Sequence, residues 1–118
     1  MGFTLPKKLI LRRHSEFQRV YRLGKSIANR YLVLYILPDK ENGGKVGFAA
    51  GKKLGGAVLR NRLKRLLRES YRKNRHRLKP GVQLILVARA AAAKEKCATV
   101  EAAFLELARR GGIFAADK

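Results

Sequence analysis

The sequence predicts an α+β sandwich, in which helices pack on a small mixed β-sheet. Leucines recur at helical spacing from residue 57 to residue 77, and apolar runs at residues 30–37 and 82–88 have the length of strands. Turn-forming glycine and proline separate these segments. With 118 residues, 47% of them hydrophobic, the chain can bury one core. We therefore expect a single domain over residues 1–118, with a basic arm at residues 1–13 and a short tail at residues 111–118.

The first helix is expected at residues 16–23. Ser15 and Gln18 fit a capping box at its start. Phe17 and Tyr21 lie one turn apart on its apolar side. The two rings are either ordinary core residues or a platform on which the bases of a single strand stack beside cations, and the sequence leaves both readings open.

The next segments alternate between strands and turns. Strands are expected at residues 25–29, 30–37 and 45–50. The second strand is apolar on both faces, with Tyr35 on one of them. Asn42-Gly43 lies in a polar turn and predicts a hairpin between the second and third strands. Residues 51–56 are rich in glycine, but no Ser or Thr follows the lysines, so a nucleotide phosphate loop is not expected.

The organising element is a long helix predicted over residues 57–77. One face is a leucine stripe suited to a core. The opposite face is cationic and carries Arg60, Asn61, Lys64, Arg65, Arg68, Arg72 and Arg75. The whole segment from residue 60 to residue 77 holds nine Lys or Arg, and Glu69 is its one acid. Like charges one turn apart repel each other unless a polyanion lies along the row. A merely solvated face is the less favoured alternative, because arginine dominates and its forked guanidinium suits phosphates.

The last elements are a strand and a helix. Residues 82–88 predict a strand buried on both faces, and residues 90–96 are ambiguous. Thr99 is expected to cap a helix that ends near Arg110. Helices that cover one face of the sheet would leave the other open, as a groove for an unpaired strand near Tyr35.

Composition limits the possible partners and chemistry. Lys and Arg number 28 against 8 Asp and Glu, giving a net charge of +20, which calls for an anionic partner. No run approaches the roughly 18 apolar residues of a membrane span, and no secretory signal is recognised. The single Cys97 cannot form an internal disulfide, so a cytoplasmic protein is expected. His14, His76 and the acids show no convergent spacing, which predicts neither a catalytic residue nor a protein metal site.

Two segments, in this order, resemble the bacterial ribonuclease P protein family. Residues 51–69, GKKLGGAVLRNRLKRLLRE, closely resemble its signature, with the Arg-Asn-Arg centre at residues 60–62. Residues 16–26, EFQRVYRLGKS, resemble its first helix and turn. The similarity extends from about Leu11 to Leu107.

The resemblance implies an α-β-β-β-α-β-α sandwich with a left-handed β-α-β crossover, against the usual right-handed preference. It also implies that the long helix and its preceding loop dock on a catalytic RNA subunit. The matching positions are Lys52, Lys53, Arg60, Asn61, Arg62, Lys64, Arg65, Arg68 and Arg72.

A central cleft would then take the single-stranded 5′ leader of precursor tRNA. The matching positions are Phe17, Tyr21 and Tyr35, with Tyr21 standing where a phenylalanine is common. The resemblance implies that the RNA subunit cleaves with Mg²⁺ that it mainly holds itself. The protein, one copy per RNA, would raise substrate affinity and assist assembly.

Two rival functions remain open from the residues. A structural ribosomal protein would share the charge and the α+β build, but would sediment with ribosomal subunits and leave tRNA 5′ maturation unaffected. A major-groove DNA reader would need a helix just before the basic helix, where a strand and a glycine-rich loop are expected instead.

Overall fold

The computed structural model describes residues 5–115, and its elements follow the predicted order α-β-β-β-α-β-α. The helices are α1 (His14–Leu23), α2 (Ala57–Asn74) and α3 (Cys97–Arg110). The strands are β1 (Lys25–Ala28), β2 (Leu32–Pro38), β3 (Val46–Ala49) and β4 (Val82–Ala88). Short 3₁₀ turns cover Lys7–Leu9, Lys52–Leu54, Arg75–Arg77 and the ambiguous segment Ala90–Lys94. The α+β class is thereby confirmed.

The four strands form one mixed sheet in the order β1-β2-β4-β3. β4 pairs antiparallel with β2 and parallel with β3. The predicted hairpin between β2 and β3 is therefore wrong, because β4 lies between them. The apolar character of β4 on both faces explains its central place. The hand of the β3-α2-β4 crossover stays a prediction.

The sheet is covered on both faces, although unequally. α2 and α3 pack on one face, where Leu34, Leu86 and Phe104 are fully buried. α1 packs on the other face, where Val20 and Ile85 are fully buried. The expectation that helices cover one face only was wrong, since β2 and β4 are apolar on both sides and each side needs a cover.

Two helix starts differ from those predicted. α1 begins at His14, and its cap is made by Glu16, whose carboxylate accepts the backbone N–H groups of Arg12 and Arg13 at 3.2 and 3.0 Å. These bonds, above all that from Arg13, lower the pKa of Glu16. α3 begins at Cys97, two residues before the expected cap at Thr99. The residue before α3 is Lys96, which makes no capping hydrogen bond through its side chain, so the expected Thr99 cap is wrong.

Part of the predicted basic arm belongs to the fold. The backbone N–H of Leu11 donates to the carbonyl of Val46 at 2.8 Å, and the Leu11 side chain is buried. Ile10 forms a parallel bridge with Val46. Residues 1–4 of the arm and residues 116–118 of the tail lie outside the described residues.

Candidate nucleic-acid interface

α2 presents the predicted cationic face, defined as Arg60, Asn61, Lys64, Arg65, Arg68 and Arg72. Its opposite side packs into the core through the buried Leu63, Leu67 and Tyr71. Because that side is anchored, the cations cannot turn away from solvent together. Asn61, Arg65 and Arg68 are exposed, and the other three are half-buried.

Individual side chains on the cationic face differ in their surroundings. The guanidinium of Arg68 lies over the ring of Phe48, 5.8 Å from its centroid, which holds it at the edge of the sheet. Arg60 has a buried Nε without a hydrogen-bond partner among the described residues. Arg72 forms an ion pair with Glu69 at 2.6 Å, which lowers the pKa of that carboxyl.

Arg62 has a different environment from the cationic face. Its guanidinium donates to the backbone carbonyls of Ala93 and Glu95, both at 2.9 Å. These two bonds tie α2 to the segment that leads into α3. Of the Arg-Asn-Arg triplet, Arg60 and Asn61 belong to the cationic face, whereas Arg62 is engaged by its own chain.

Lys52 and Lys53 lie in the 3₁₀ turn that precedes α2, and both are exposed. They follow β3 directly, at the end of the sheet where α2 begins. This turn occupies the place where a helix-turn-helix DNA reader would need its first helix. The two lysines therefore extend the cationic face toward the sheet end.

The three rings of the predicted cleft lie between α1 and the sheet, where they pack against a small core cluster that includes Val20 and Ile85. Tyr21 meets Tyr35 edge to face with centroids 4.8 Å apart, and Phe17 lies 6.1 Å from Tyr21. All three rings are half-buried. Burial, with a smaller contribution from Tyr35, raises the pKa of Tyr21. The rings therefore contribute to the core beneath α1 while part of their surface stays accessible, and base stacking on them stays a prediction.

Gly47 of β3 packs directly against the Phe17 ring. A Cβ at this position would lie 2.7 Å from two atoms of the Phe17 ring. A ring can therefore approach the backbone of β3 closely only because the residue is glycine. Sequence reasoning did not pair Gly47 with Phe17, since no spacing rule links α1 to β3.

α1 covers only one end of its sheet face. Gln83 and Ile85 are buried, whereas Val33, Ala49 and Val87 toward the other end are half-buried. The register places Val33 opposite Val87, and Ala49 beside Val87. The uncovered end is the end from which Lys52 and Lys53 project. It forms an apolar floor beside the aromatic rings with cations at its margin.

The edge strand β3 separates the cleft from the cationic face. Because side chains alternate across a strand, Gly47 faces the Phe17 ring while Phe48 points to the other side, under Arg68. The two candidate surfaces therefore lie on opposite faces of one strand. A polyanion on one surface leaves the other accessible.

Asp39 fixes the position of α1, a role that sequence reasoning missed. Its carboxylate accepts hydrogen bonds from Arg19 at 2.9 Å and from Gln83 at 3.1 Å. Bonds from the side chain and backbone of Asn42, and then those from Arg19 and Gln83, lower its pKa from the ordinary 3.8 to about 2. The sequence signal was an Asp three residues before an Asn in a turn, a combination that many turns contain.

Two amides, from the half-buried Asn29 and the buried Asn74, brace the fold and were also missed. Asn29 donates to the carbonyl of Ala103 at 3.0 Å and to Glu106 at 2.7 Å, which ties the β1–β2 turn to α3. Asn74 donates to Glu101 at 2.8 Å, which ties the end of α2 to α3.

The donor atoms of residues 5–115 do not fit a resident metal site. No group of three or more His, Cys, Asp or Glu in this range is arranged to hold an ion. No chemical step is assigned to a metal held by these residues. No helix in the described part of the chain is long and apolar enough to span a membrane.

Comparison with known proteins shows which family this chain resembles. The family profile described as Ribonuclease P matches residues 5–111. The chain is 42% identical over 100 residues to the Ribonuclease P protein component of Alkaliphilus oremlandii, covering 85% of this chain and 88% of that protein.

Solved structures give the same result. The Staphylococcus aureus RNase P protein superimposes with a TM-score of 0.81 at 30% identity, covering 91% of this chain and 98% of that one. The Thermotoga maritima RNase P protein gives 0.76 at 28% identity, covering 85% and 94%.

Proposed function

The chain belongs to the ribonuclease P protein family, and we propose that it binds that endoribonuclease's RNA subunit through α2 and the 5′ leader of precursor tRNA through the α1 cleft. As a protein component of ribonuclease P, it takes part in tRNA processing within a ribonucleoprotein. In this proposal the RNA subunit performs the cleavage and mainly holds the Mg²⁺, one protein serves each RNA, and the complex acts in the cytoplasm.

The observation that carries the proposal is the placement of two different surfaces on opposite faces of β3. The cationic face offers guanidinium groups anchored by a buried leucine ridge, which suits the phosphates of a folded RNA. The cleft offers three half-buried rings close to one another, which suits unpaired bases. Two surfaces of different chemistry can bind the RNA subunit and the substrate at the same time.

The chain's own residues position RNA in this proposal and do not react. Each phosphate neutralised on the cationic face releases counterions, so affinity for the RNA subunit falls steeply with salt. Each base stacked in the cleft contributes on the order of 1–3 kcal/mol to precursor binding. The protein would raise affinity for precursor over mature tRNA, because mature tRNA lacks the leader.

Reconstitution tests the function as a whole. The chain is added to a ribonuclease P RNA at low Mg²⁺, and removal of the 5′ leader is measured. We expect leader removal at a Mg²⁺ concentration where the RNA alone is slow, and none from the protein alone. Cleavage by the isolated protein, or no stimulation of the RNA, would overturn the proposal; sedimentation with ribosomal subunits would favour the ribosomal alternative.

Two matched pairs of variants test the two surfaces. Arg68→Ala should weaken binding of the RNA subunit and flatten its salt dependence by roughly 0.7–0.9 log units per log unit of salt. Arg109→Ala, which removes an exposed arginine of α3, should leave both unchanged.

For the cleft, Phe17→Ala should weaken precursor tRNA binding by about tenfold, equivalent to about 1.4 kcal/mol, and change mature tRNA binding little. Tyr31→Ala removes a half-buried ring outside the cleft and serves as its control. Equal losses for precursor and mature tRNA, in a variant shown to be folded, would remove the cleft from the proposal.

A further inference from the structure

A cavity of about 490 Å³ lies at the end of α2 distant from Lys52 and Lys53. It is enclosed by the last turn of α2, the following 3₁₀ turn, the β2–β3 turn and the start of β4. Its volume falls within the range of small-molecule sites, roughly 300–1,000 Å³. We name it the α2-end cavity. Of the residues that line it, Arg72 alone also belongs to the cationic face, where it is paired with Glu69, and none belongs to the cleft.

The α2-end cavity combines an apolar floor with a cationic rim. Tyr71 and Leu84 are buried within it, and Leu78 and Val82 are half-buried. The rim is supplied by cationic or titratable side chains, namely Arg72, Arg75, His76 and Lys79. No carboxylate is among the lining residues. An apolar floor favours a flat apolar group, and a rim of this charge favours an anion attached to it.

Glycines form the remaining wall. A Cβ at Gly43 would lie 2.4 Å from the Cα of Gly81, so the two turns touch backbone to backbone. The N–H of Gly44 donates to the carbonyl of Val82 at 2.9 Å, which fixes the wall against β4. Because these residues carry no side chains, the cavity stays open where the two turns meet.

The rim continues the cationic face. Arg68, Arg72 and Arg75 follow one another at spacings of four and three residues, which places them on one side of a helix. An RNA strand that follows the cationic face toward its C-terminal end would arrive at the α2-end cavity. The cavity is large enough to admit one nucleotide that is not base-paired.

We propose that the α2-end cavity binds a nucleoside phosphate, with the base on the apolar floor and the phosphate at the cationic rim. The source is either an unpaired nucleotide of the bound RNA or a free mononucleotide, and the chemistry of recognition is the same for both. The RNA source rests on the proposed function, since it requires RNA along α2. The mononucleotide source does not.

Amide chemical shifts of the folded full-length protein test the proposal with three probes. Adenosine 5′-monophosphate, inorganic phosphate and adenosine are titrated separately at 150 mM KCl. We expect the monophosphate to shift the amides of Gly43, Gly44 and Gly81, with an affinity at least tenfold above that of either phosphate or adenosine. Lys79→Ala should weaken that binding by about tenfold, whereas Lys73→Ala, outside the cavity, should change it less than twofold.

A generic attraction to a highly cationic protein would give a different result. Equal affinities for the monophosphate and inorganic phosphate, equal losses in the two lysine variants, or shifts confined to other parts of the chain would each overturn the proposal.

A fourth titration with a short single-stranded oligouridylate distinguishes the sources. Shifts of the same glycine amides that Lys79→Ala reduces identify an RNA nucleotide, and their absence with the monophosphate response intact identifies a free mononucleotide. Affinity for the ribonuclease P RNA subunit, measured separately with Arg68→Ala, reports on the proposed function independently of the cavity.

Discussion

Replacing Arg62 by alanine is expected to cost stability rather than RNA affinity. Its guanidinium joins α2 to the carbonyls of Ala93 and Glu95 through two hydrogen bonds of 2.9 Å. A hydrogen bond to a charged group contributes about 1.5–3 kcal/mol when it is shielded from water. Arg62 is exposed, so water replaces much of each bond, and we expect a loss of about 1–2 kcal/mol for the pair.

For a chain of this length, that loss lowers the melting temperature by about 4–8 °C. Thermal unfolding followed by circular dichroism in chloride buffer measures it, because anions that bind the folded state would mask the change. Arg62→Lys should recover less than half of the loss, since an ammonium lacks the planar fork that reaches two carbonyls.

Arg65→Ala is the matched control, because Arg65 is exposed on the cationic face of the same helix. Arg65→Ala should leave the melting temperature within about 2 °C of that of the unsubstituted protein. It should also make binding to the RNA subunit less dependent on salt concentration. The reasoning fails if Arg62→Ala keeps the native melting temperature and flattens that salt dependence as much as Arg65→Ala does. Arg62 would then be an RNA contact that is free to leave its carbonyls.

Three further predictions concern packing and charge. Gly47→Ala should displace the Phe17 ring and cost about 1–3 kcal/mol in urea unfolding, with precursor tRNA binding reduced; an unchanged unfolding midpoint would show that the ring has room to move. Asp39→Asn should make the free energy of unfolding fall less steeply as the pH is lowered below about 4. The carboxyl has a pKa of about 2 in the folded protein against an ordinary 3.8, so its contribution is present above about pH 4 and is lost as the pH falls toward 2. Urea midpoints measured across that range check this, and equal slopes in variant and parent would contradict it. Asn74→Ala should cost about 1–3 kcal/mol, because it leaves the Glu101 carboxylate without its 2.8 Å partner; a loss below about 0.5 kcal/mol would mean that water replaces the amide.

Local patterns were sufficient to predict most elements of the fold. The leucine spacing of α2 and the apolar run of β4 report periodicity and burial, which depend on neighbours within one segment. They predicted the core side of Leu63 and Leu67 and the exposure of Arg65 and Arg68 on the other side. Helix starts were less predictable, because the cap of α1 depends on Glu16 reaching back to the arm.

Strand pairing was beyond local patterns. The turn at Asn42-Gly43 favours a hairpin, and nothing within the first fifty residues indicates that β4 will lie between β2 and β3. The pairing is decided by a strand more than thirty residues further along, whose two apolar faces need cover from both α1 and the α2–α3 layer. Contacts between residues so far apart in the sequence impose no periodic pattern on either segment.

The sequence by itself determined the charge of this protein, the two faces of its basic helix and its family, since these depend on residue identity and spacing alone. Tertiary structure decided what each cation contacts within the chain: Arg62 donates to two backbone carbonyls, Arg72 pairs with Glu69, and Arg68 lies over the Phe48 ring. It also decided that Phe17 rests on Gly47 and that β3 separates the two surfaces. The physical reason is that a guanidinium or a ring has the same intrinsic chemistry wherever it lies, and only packing determines which groups contact it.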